Sequence, residues 1–247
     1  MMINSAQNPK FRQLMKLKQK KYRLEQGLFL VEGEHLVKEA IAGGKCELVV
    51  AGADVSFWKK ETIILSPALL KQLSDLESPQ FLFALCRIKS DFHLGKRLLL
   101  IDGIQDPGNL GTLLRSALAF GFDTIVYENT VDIYCPKVIR GSQGALFGLS
   151  LINTGLIPFI SDHPDYKFYG TSVASGKDVG AIKETAAKIG LILGNEGQGV
   201  RKELLHLADE IITIPMEKTE SLNVSVAGSI IMYQFYKAKS SYLDDNH

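Results

Sequence analysis

The segment from Ile212 to Gly228, ITIPMEKTESLNVSVAG, combines a strand, a polar loop and a helix start. Ser221 and Asn223 follow the strand, in a loop that is rich in hydrogen-bond donors and acceptors. A structural helix start needs only one capping Ser, Thr, Asp or Asn. A core strand followed by a capped helix would explain Ile214 and Leu222, but it would leave Asn223 without a role. The surplus of polar groups therefore predicts a site for chemistry or ligand binding.

A second candidate segment lies upstream, from Leu98 to Gly121, and reads LLLIDGIQDPGNLGTLLRSALAFG. Asp106 and Pro107 predict the N-cap and the first residue of a helix. Asn109 lies in the first turn, and Arg115 follows at a position about 120° around an ideal helix from it. Taken alone, the pattern is typical of a capped helix with a surface arginine. The two side chains cannot share one narrow helix face.

A third segment, LILGNEGQGV, follows a predicted strand with a glycine-rich turn that contains Gly194, Gly197 and Gly199. The order is GxxGxG, which fails the GxGxxG fingerprint of dinucleotide-binding folds and disfavours a nicotinamide cofactor. Glycines in such a turn serve either a chain reversal or the close approach of backbone to a ligand. Beside the other two segments, we favour contact with a ligand.

In this order, the three segments resemble the SpoU (TrmH-type) family of RNA 2′-O-ribose methyltransferases. The resemblance covers the C-terminal three fifths of the chain. It implies S-adenosylmethionine as cofactor and a homodimer. It also implies an α/β fold of the SPOUT class, which has a parallel sheet and a chain tied in a trefoil knot. It assigns catalytic roles to Asn109, Arg115, Glu196, Ser221 and Asn223. It assigns cofactor binding to Gly194, Ile214, Met216, Leu222, Thr171 and Gly199.

Arg115 is a poor candidate for a general base, because a guanidinium keeps its proton at any working pH. We expect its planar fork to hold an RNA phosphate and to stabilise the alkoxide that develops on the ribose hydroxyl, while that phosphate or a water takes the proton. Positioning and charge stabilisation suffice for this displacement, so no metal is expected. Glu217, Lys218 and Thr219 stand where relatives often have a glycine, and this departure affects substrate contacts more than cofactor binding.

The N-terminal segment is the basic part of a chain whose formal net charge is only +1. Asn8 and Pro9 predict a helix start, and Phe11 and Leu14 recur at helical spacing among the cations. The resulting helix is either a solvated face or a surface that contacts RNA phosphates. Residues 1–24 hold no acidic residue, and their cations are the predicted RNA-binding residues: Lys10, Arg12, Lys16, Lys18, Lys20, Lys21 and Arg23.

The alternation of apolar runs and helical patterns predicts two α/β domains. Polar, unpatterned residues from Lys89 to Lys96 separate them, so we expect a substrate-binding domain over 1–92 and a methyltransferase domain over 97–247. The alternation in the second domain predicts a parallel sheet with helices on both faces. The first also resembles the substrate-binding extension of SpoU enzymes, which is related to a ribosomal-protein fold that recognises bent RNA.

Several other classes of protein find no support in the sequence. Cys46, Cys86 and Cys135 are odd in number and lack zinc-site spacing, which argues against a disulfide framework and indicates a reducing cytoplasm. No apolar run approaches the roughly 20 residues of a membrane helix, and no signal peptide is evident. The histidines have no hydrolase or metal-ligand pattern.

The function that these observations predict is S-adenosylmethionine-dependent methylation of a ribose 2′-hydroxyl in structured RNA, with large-subunit ribosomal RNA as the first choice. Transfer RNA remains an alternative substrate. A non-catalytic RNA-binding or ribosome assembly factor is a second alternative, although it would not need Arg115, Glu196 and Asn223 together. An enzyme acting on small molecules is a third, but it would not need a basic helix.

Overall fold

The computed structural model describes residues 2–53, 55, 58–88, 93–183 and 186–244, and only the backbone over 239–244. The chain divides into two compact units. The first contains Met1–Asp91 together with Tyr134–Phe147, and the second contains Phe92–Ile133 together with Gly148–His247. The predicted domain boundaries did not anticipate that residues 134–147 join the first unit.

The first unit is built on a five-stranded mixed sheet of order β1-β4-β3-β5-β2. Strands β2 and β3 pair antiparallel with β5, and β4 pairs parallel with β1 and β3. Its strands are β1 (Met2–Ile3), β2 (Leu28–Glu32), β3 (Cys46–Ala51), β4 (Glu61–Leu65) and β5 (Leu82–Arg87). Its helices are α1 (Pro9–Lys16), α2 (Lys20–Gln26), α3 (Glu34–Ala42), α4 (Pro67–Leu73) and α6 (Pro136–Ser142).

The basic N-terminal segment forms two short helices, where the sequence predicted one. Asn8 caps α1 as predicted, since its side chain accepts from Lys10 N at 2.9 Å. Phe11 and Leu14 are buried, so they anchor the helix on the core of the unit. A break after Lys16 separates α1 from α2, which ends at Gly27 in the left-handed conformation with φ 64°.

The second unit contains a seven-stranded sheet of order β10-β12-β9-β11-β6-β7-β8, in which every described pair is parallel. The predicted parallel sheet is confirmed. Its strands are β6 (Arg97–Asp102), β7 (Thr124–Glu128), β8 (Ser150–Asn153), β9 (Lys167–Thr171), β10 (Lys177–Asp178), β11 (Ile189–Leu193) and β12 (Glu210–Thr213). Its helices are α5 (Pro107–Ala119), α7 (Leu156–Ser161), α8 (Lys202–Leu207) and α9 (Val224–Asp244).

Strand β6 lies between β11 and β7, and all of its residues are buried. A parallel strand that is covered on both faces needs such a continuous apolar run. The carboxyl ends of parallel strands meet at one edge of the sheet, where open α/β sheets bind ligands. The loop after β6 and the turn after β11 therefore lie side by side. Asn195 Nδ2 donates to Gly103 O across them at 2.8 Å.

Candidate active site

Glu196 is the centre of a hydrogen-bonded cluster that joins two of the three candidate segments. Its Oε1 accepts from Asp106 N at 3.0 Å and from Asn109 Nδ2 at 3.2 Å. Its Oε2 accepts from Gln105 N at 3.2 Å. Asp106 also caps α5 as predicted, because its Oδ1 accepts from Asn109 N at 2.8 Å. The carboxylate thus fixes the start of α5 and the side chain of Asn109 against the glycine-rich turn.

Asn223 extends this cluster to the third segment. Its Nδ2 donates to Asn109 Oδ1 at 2.9 Å, so Asn109 is held from both sides. Its Oδ1 accepts from Ser225 N at 2.9 Å and from Val226 N at 3.3 Å, which are helix-capping bonds at the start of α9. The prediction from sequence that a capped helix would leave Asn223 without a role is therefore wrong, because its carbonyl oxygen caps α9. The amide nitrogen is the group that exceeds capping.

The Glu196 carboxylate is held in its ionised form. Partial burial on its own would raise the pKa, but the hydrogen bonds from Asp106 N, Asn109 and Gln105 N outweigh it, and the pKa lies below its usual value. A carboxylate with a lowered pKa is a weaker base. Its geometry suits positioning of Asn109 better than removal of a proton from substrate.

The turn after β11 is a tight reversal that only glycine permits at its first position. Asn195 N donates to Gly199 O at 3.0 Å, and Gly199 N donates to Asn195 O at 2.9 Å. A Cβ added to Gly194 would lie 2.0 Å from the carbonyl carbon of Gly199. Gly199 itself has φ +71°, a left-handed conformation that glycine adopts without strain. The backbone at Gly194 and the backbone at Gly199 thus lie closer together than any side chain at position 194 would allow.

An apolar wall follows β12 in the third segment. Ile214, Met216 and Leu222 are half-buried, so each retains apolar surface that a ligand can cover. Thr171 ends β9, and its hydroxyl donates to Ile192 O at 2.9 Å. A glycine-rich turn together with half-buried apolar side chains fits an adenosyl group, since adenine pockets are mainly apolar with a few backbone hydrogen bonds.

Arg115 and Ser221 stand apart from the Glu196 cluster. Both are exposed. Among the residues that the structure describes, neither the Arg115 guanidinium nor the Ser221 hydroxyl makes a hydrogen bond or an ion pair. The structure therefore brings together Asn109, Glu196 and Asn223 of the five predicted catalytic residues, and it leaves the side chains of the other two outside the cluster.

Comparison with known proteins identifies the relatives of this chain. The profile of the SpoU rRNA methylase family matches residues 96–233, and that of an MRM3-like substrate binding domain matches residues 8–84. The 23S rRNA (guanosine(2553)-2′-O)-methyltransferase RlmP of Bacillus subtilis is 36% identical over 94% of this chain and 97% of its own length. The chain belongs to the SpoU rRNA methylase family.

Solved structures agree with the SpoU assignment. An RNA 2′-O ribose methyltransferase superposes with a TM-score of 0.78 at 28% identity, covering 97% of this chain and all of that one. The AdoMet-bound rRNA methyltransferase of Sinorhizobium meliloti has the same fold, with a TM-score of 0.86 at 24% identity and 98% coverage of both chains. The predicted family, RNA methyltransferase activity and S-adenosylmethionine cofactor are confirmed.

Sequence reasoning missed an ion-pair network that holds the glycine-rich turn of this SpoU enzyme. Arg201 follows the turn, and its Nε lies 2.7 Å from Asp102 Oδ1 at the end of β6. The guanidinium also pairs with Glu128 at the end of β7, and Arg201 N donates to Asp102 Oδ2 at 3.0 Å. Two acidic residues that end successive buried strands were the available signal.

The structure corrects the predicted RNA-binding set of the first unit. Arg23 is only 5% exposed, and its Nη1 donates to Leu17 O at 2.7 Å, so it supports the fold and cannot reach a phosphate. Lys18 pairs with Asp75 at 2.9 Å and also donates to two backbone carbonyls. The remaining predicted cations are exposed: Lys10, Arg12, Lys16, Lys20 and Lys21.

Tyr22 lies between two of these cations. The ammonium groups of Lys16 and Lys21 are 5.4 Å and 5.9 Å from its ring centroid.

In the part of the chain that the structure describes, no group of His, Cys, Asp and Glu residues could hold a metal ion. No described helix is both long enough and apolar enough to cross a bilayer.

Proposed function

We propose that this SpoU enzyme methylates a ribose 2′-hydroxyl in large-subunit ribosomal RNA. The observation that carries the proposal is the Glu196 cluster, which joins the three family segments at one edge of the parallel sheet. The B. subtilis relative, whose name gives 23S ribosomal RNA and 2′-O-methylation, aligns with nearly the whole chain and supports this substrate over transfer RNA.

The cofactor site is built from the glycine-rich turn and the apolar wall. Gly194 and Gly199 offer backbone without side-chain obstruction, while Ile214, Met216 and Leu222 offer apolar contact and Thr171 lines the end of β9. Bound S-adenosylmethionine supplies an electrophilic methyl group on its sulfonium. The knot that the family resemblance implies would thread this part of the chain.

Arg115 and Ser221 act on the substrate side of the reaction. The Arg115 guanidinium is free to hold an RNA phosphate with its fork and to stabilise negative charge on the ribose oxygen. Ser221 offers a hydroxyl that orients the same ribose. Asn109 is fixed by Glu196 and Asn223, so its amide is a preorganised partner for the reacting groups. The proton leaves to a phosphate oxygen or a water, because neither Arg115 nor Glu196 is a suitable base.

The exposed part of α9 supports the predicted homodimer. Val226, Ile230 and Tyr233 recur at helical spacing and are 47%, 41% and 48% exposed. Leu118 of α5 is 42% exposed in the same unit. Gly228 packs inside the unit, because a Cβ there would lie 2.6 Å from a side-chain atom of Leu113. The exposed apolar side chains form the dimer surface.

RNA recognition is divided between the units. Residues 1–92 form the RNA substrate-binding domain, whose exposed cations contact phosphates, and residues 97–247 form the methyltransferase domain. Residues 134–147, which fall within the matched methyltransferase segment, belong to the first unit. The enzyme works in the cytoplasm, in keeping with its three free cysteines.

Deletion of the gene, followed by mapping of ribose methylations in total RNA, tests the proposal. Loss of one defined mark in large-subunit ribosomal RNA is expected, with restoration by the wild-type gene and not by an Asn109→Ala variant. Loss of a mark in transfer RNA would move the substrate to that class. Retention of every mark would contradict the proposal and favour an assembly factor.

A further inference from the structure

A polar cleft opens beside the Glu196 cluster in the second unit. Its volume is about 360 Å³. It lies at the carboxyl ends of β6 and β7 and against the glycine-rich turn, and its polar lining includes Gln105, Asn129, Asn195, Gln198, Arg201 and Lys202. Of the predicted cofactor residues, only Gly199 contributes to it. The cleft is therefore distinct from the apolar wall that suits the adenosyl group.

The cleft shares a wall with the reaction centre. Gln105 lines the cleft, and its backbone N donates to Glu196 Oε2 at 3.2 Å. Asn195 lines the cleft and immediately precedes Glu196 in the chain. A group bound in the cleft is thus one residue away from the carboxylate that holds Asn109.

Part of the cleft is rigid and already hydrogen-bonded. The Arg201 guanidinium pairs with Asp102 and Glu128, so it lines the cleft without serving as the main partner of a bound molecule. Gln105 Nε2 donates to Asn129 O at 2.6 Å and to Gly103 O at 3.1 Å. These bonds fix the orientation of the Gln105 amide.

Other polar groups in the cleft are available to a ligand. Among the described residues, Gln105 Oε1, the Gln198 side-chain amide and the Lys202 ammonium have no hydrogen-bond partner. The cleft therefore presents a fixed acceptor, an amide that can both donate and accept, and one cation. Side-chain amides and lysine are the groups that read the edges of nucleobases.

We propose that this cleft binds the base of the nucleotide whose ribose is methylated. The inference rests on the proposed function, because it places the 2′-hydroxyl at the Asn109 end of the shared wall. Sequence-specific RNA recognition takes unstacked bases into pockets and hydrogen-bonds their edges. The volume lies in the range of about 300 to 1,000 Å³ that small-ligand sites occupy. Gln105 and Gln198 are then specificity-determining residues.

Nucleotide titration tests the cleft without methyltransferase activity. The probes are AMP, GMP, CMP and UMP at millimolar concentration, with ribose 5-phosphate as the control that lacks a base, and the readout is the backbone amide spectrum of the full chain. We expect at least one nucleotide, but not ribose 5-phosphate, to shift the amides of Gln105, Gln198 and Lys202. Gln198→Ala should weaken that nucleotide's binding several-fold, while Gln72→Ala, which removes an exposed amide in the first unit, should not. Absence of shifts with all four nucleotides would overturn the proposal.

Base preference in RNA gives the second test. Four short transcripts carry the mapped methylation site with each base in turn, and the relative kcat/KM is measured for wild type, Gln198→Ala and Gln72→Ala. The wild-type preference should fall about tenfold in Gln198→Ala, the size of one base-edge contact, and should persist in Gln72→Ala. An unchanged preference in Gln198→Ala would remove the cleft from base recognition.

Failure of the proposed function has a different signature from failure of this inference. S-adenosylmethionine affinity, measured by calorimetry, should be equal in wild type and Gln198→Ala. If the variant lost cofactor affinity, the cleft would belong to the cofactor and the inference would be wrong. If no ribosomal mark were lost on gene deletion, the proposed function would fail, and the nucleotide titration would still decide whether the cleft binds a base.

Discussion

The Glu196 cluster and the basic helices of the first unit hold their polar groups in opposite ways. In the cluster, Asn109 is bonded on one side to Glu196 and on the other to Asn223. On the basic helices, Lys16 and Lys20 are exposed, and neither ammonium makes a hydrogen bond or an ion pair among the described residues. The cluster has one geometry, whereas the helices offer only charge.

This difference determines how each region should respond to mutation. A preorganised site loses function when one group moves, because its contribution depends on distance and angle. A set of exposed cations contributes through summed attraction to phosphates, which is screened by salt and shared among its members. Single substitutions should therefore be severe in the first case and mild in the second.

The largest effect is expected from Gly194→Ala. The added Cβ would lie 2.0 Å from the backbone of Gly199, so the turn must open. Cofactor binding should be abolished, and the melting temperature should fall. Gly197→Ala is a matched control three residues away, since its Cβ would meet only Asn195 Oδ1 at 3.6 Å. Calorimetry with S-adenosylmethionine distinguishes them; normal affinity in Gly194→Ala would refute the preorganised turn.

The next largest effect is expected at Arg115, and it tests whether this exposed cation acts through the shape of its guanidinium or through charge alone. Arg115→Lys keeps the charge but loses the planar fork. If the fork holds a phosphate and stabilises the ribose oxygen, kcat should fall about 10²-fold, with cofactor affinity unchanged. Arg87→Lys, on the surface of the first unit, should have no effect on kcat. Wild-type turnover in Arg115→Lys would place Arg115 with the simple charges of the basic helices.

Much of the second unit could be predicted from sequence because its signals are local. Asp106 and Pro107 predicted the start of α5, and the apolar run at β6 predicted a buried parallel strand. Short elements with weak periodicity were missed, including β8 and α8. Their positions depend on the sheet that receives them rather than on their own residues.

Contacts between distant residues were the part that sequence could not supply. The Arg201 network joins the ends of two strands through residues far apart in the chain. The acidic strand ends are visible in the sequence, but no local pattern identifies Arg201 as their partner. Cys46 and Cys86 are free cysteines that lie opposite each other on β3 and β5, and their spacing in the sequence does not reveal that they are neighbours. Arg23 shows the converse error, since a basic composition conceals which cation the fold buries.

A smaller effect is expected when cations are removed from the basic helices. The triple variant Lys16→Gln, Lys20→Gln, Lys21→Gln should weaken binding of ribosomal RNA fragments about tenfold and reduce the salt-dependence slope by about 2 to 3. Matched single variants sharpen the test. Lys16→Gln should lower the slope by slightly less than about 1, whereas Lys18→Gln should lower the melting temperature and leave the slope unchanged, because Lys18 already pairs with Asp75. Equal salt-dependence slopes for both single variants would contradict the assignment of Lys16 to RNA binding and of Lys18 to the fold.

The smallest effect concerns the titration of Glu196. Burial opposes ionisation, but the hydrogen bonds from Asp106 N, Asn109 and Gln105 N lower the pKa in the folded state. Ionised Glu196 therefore adds stability above its unfolded pKa, and that stability is lost as pH falls through the folded value.

The melting temperatures of wild type and Glu196→Gln should consequently differ by about 1 to 3 °C at neutral pH, and the gap should close only at pH values below the ordinary glutamate pKa. A gap that closed near neutrality would mean a raised pKa. Glu196 would then be a proton acceptor in the reaction, and the contrast between a positioned carboxylate and freely exposed cations would have to be redrawn.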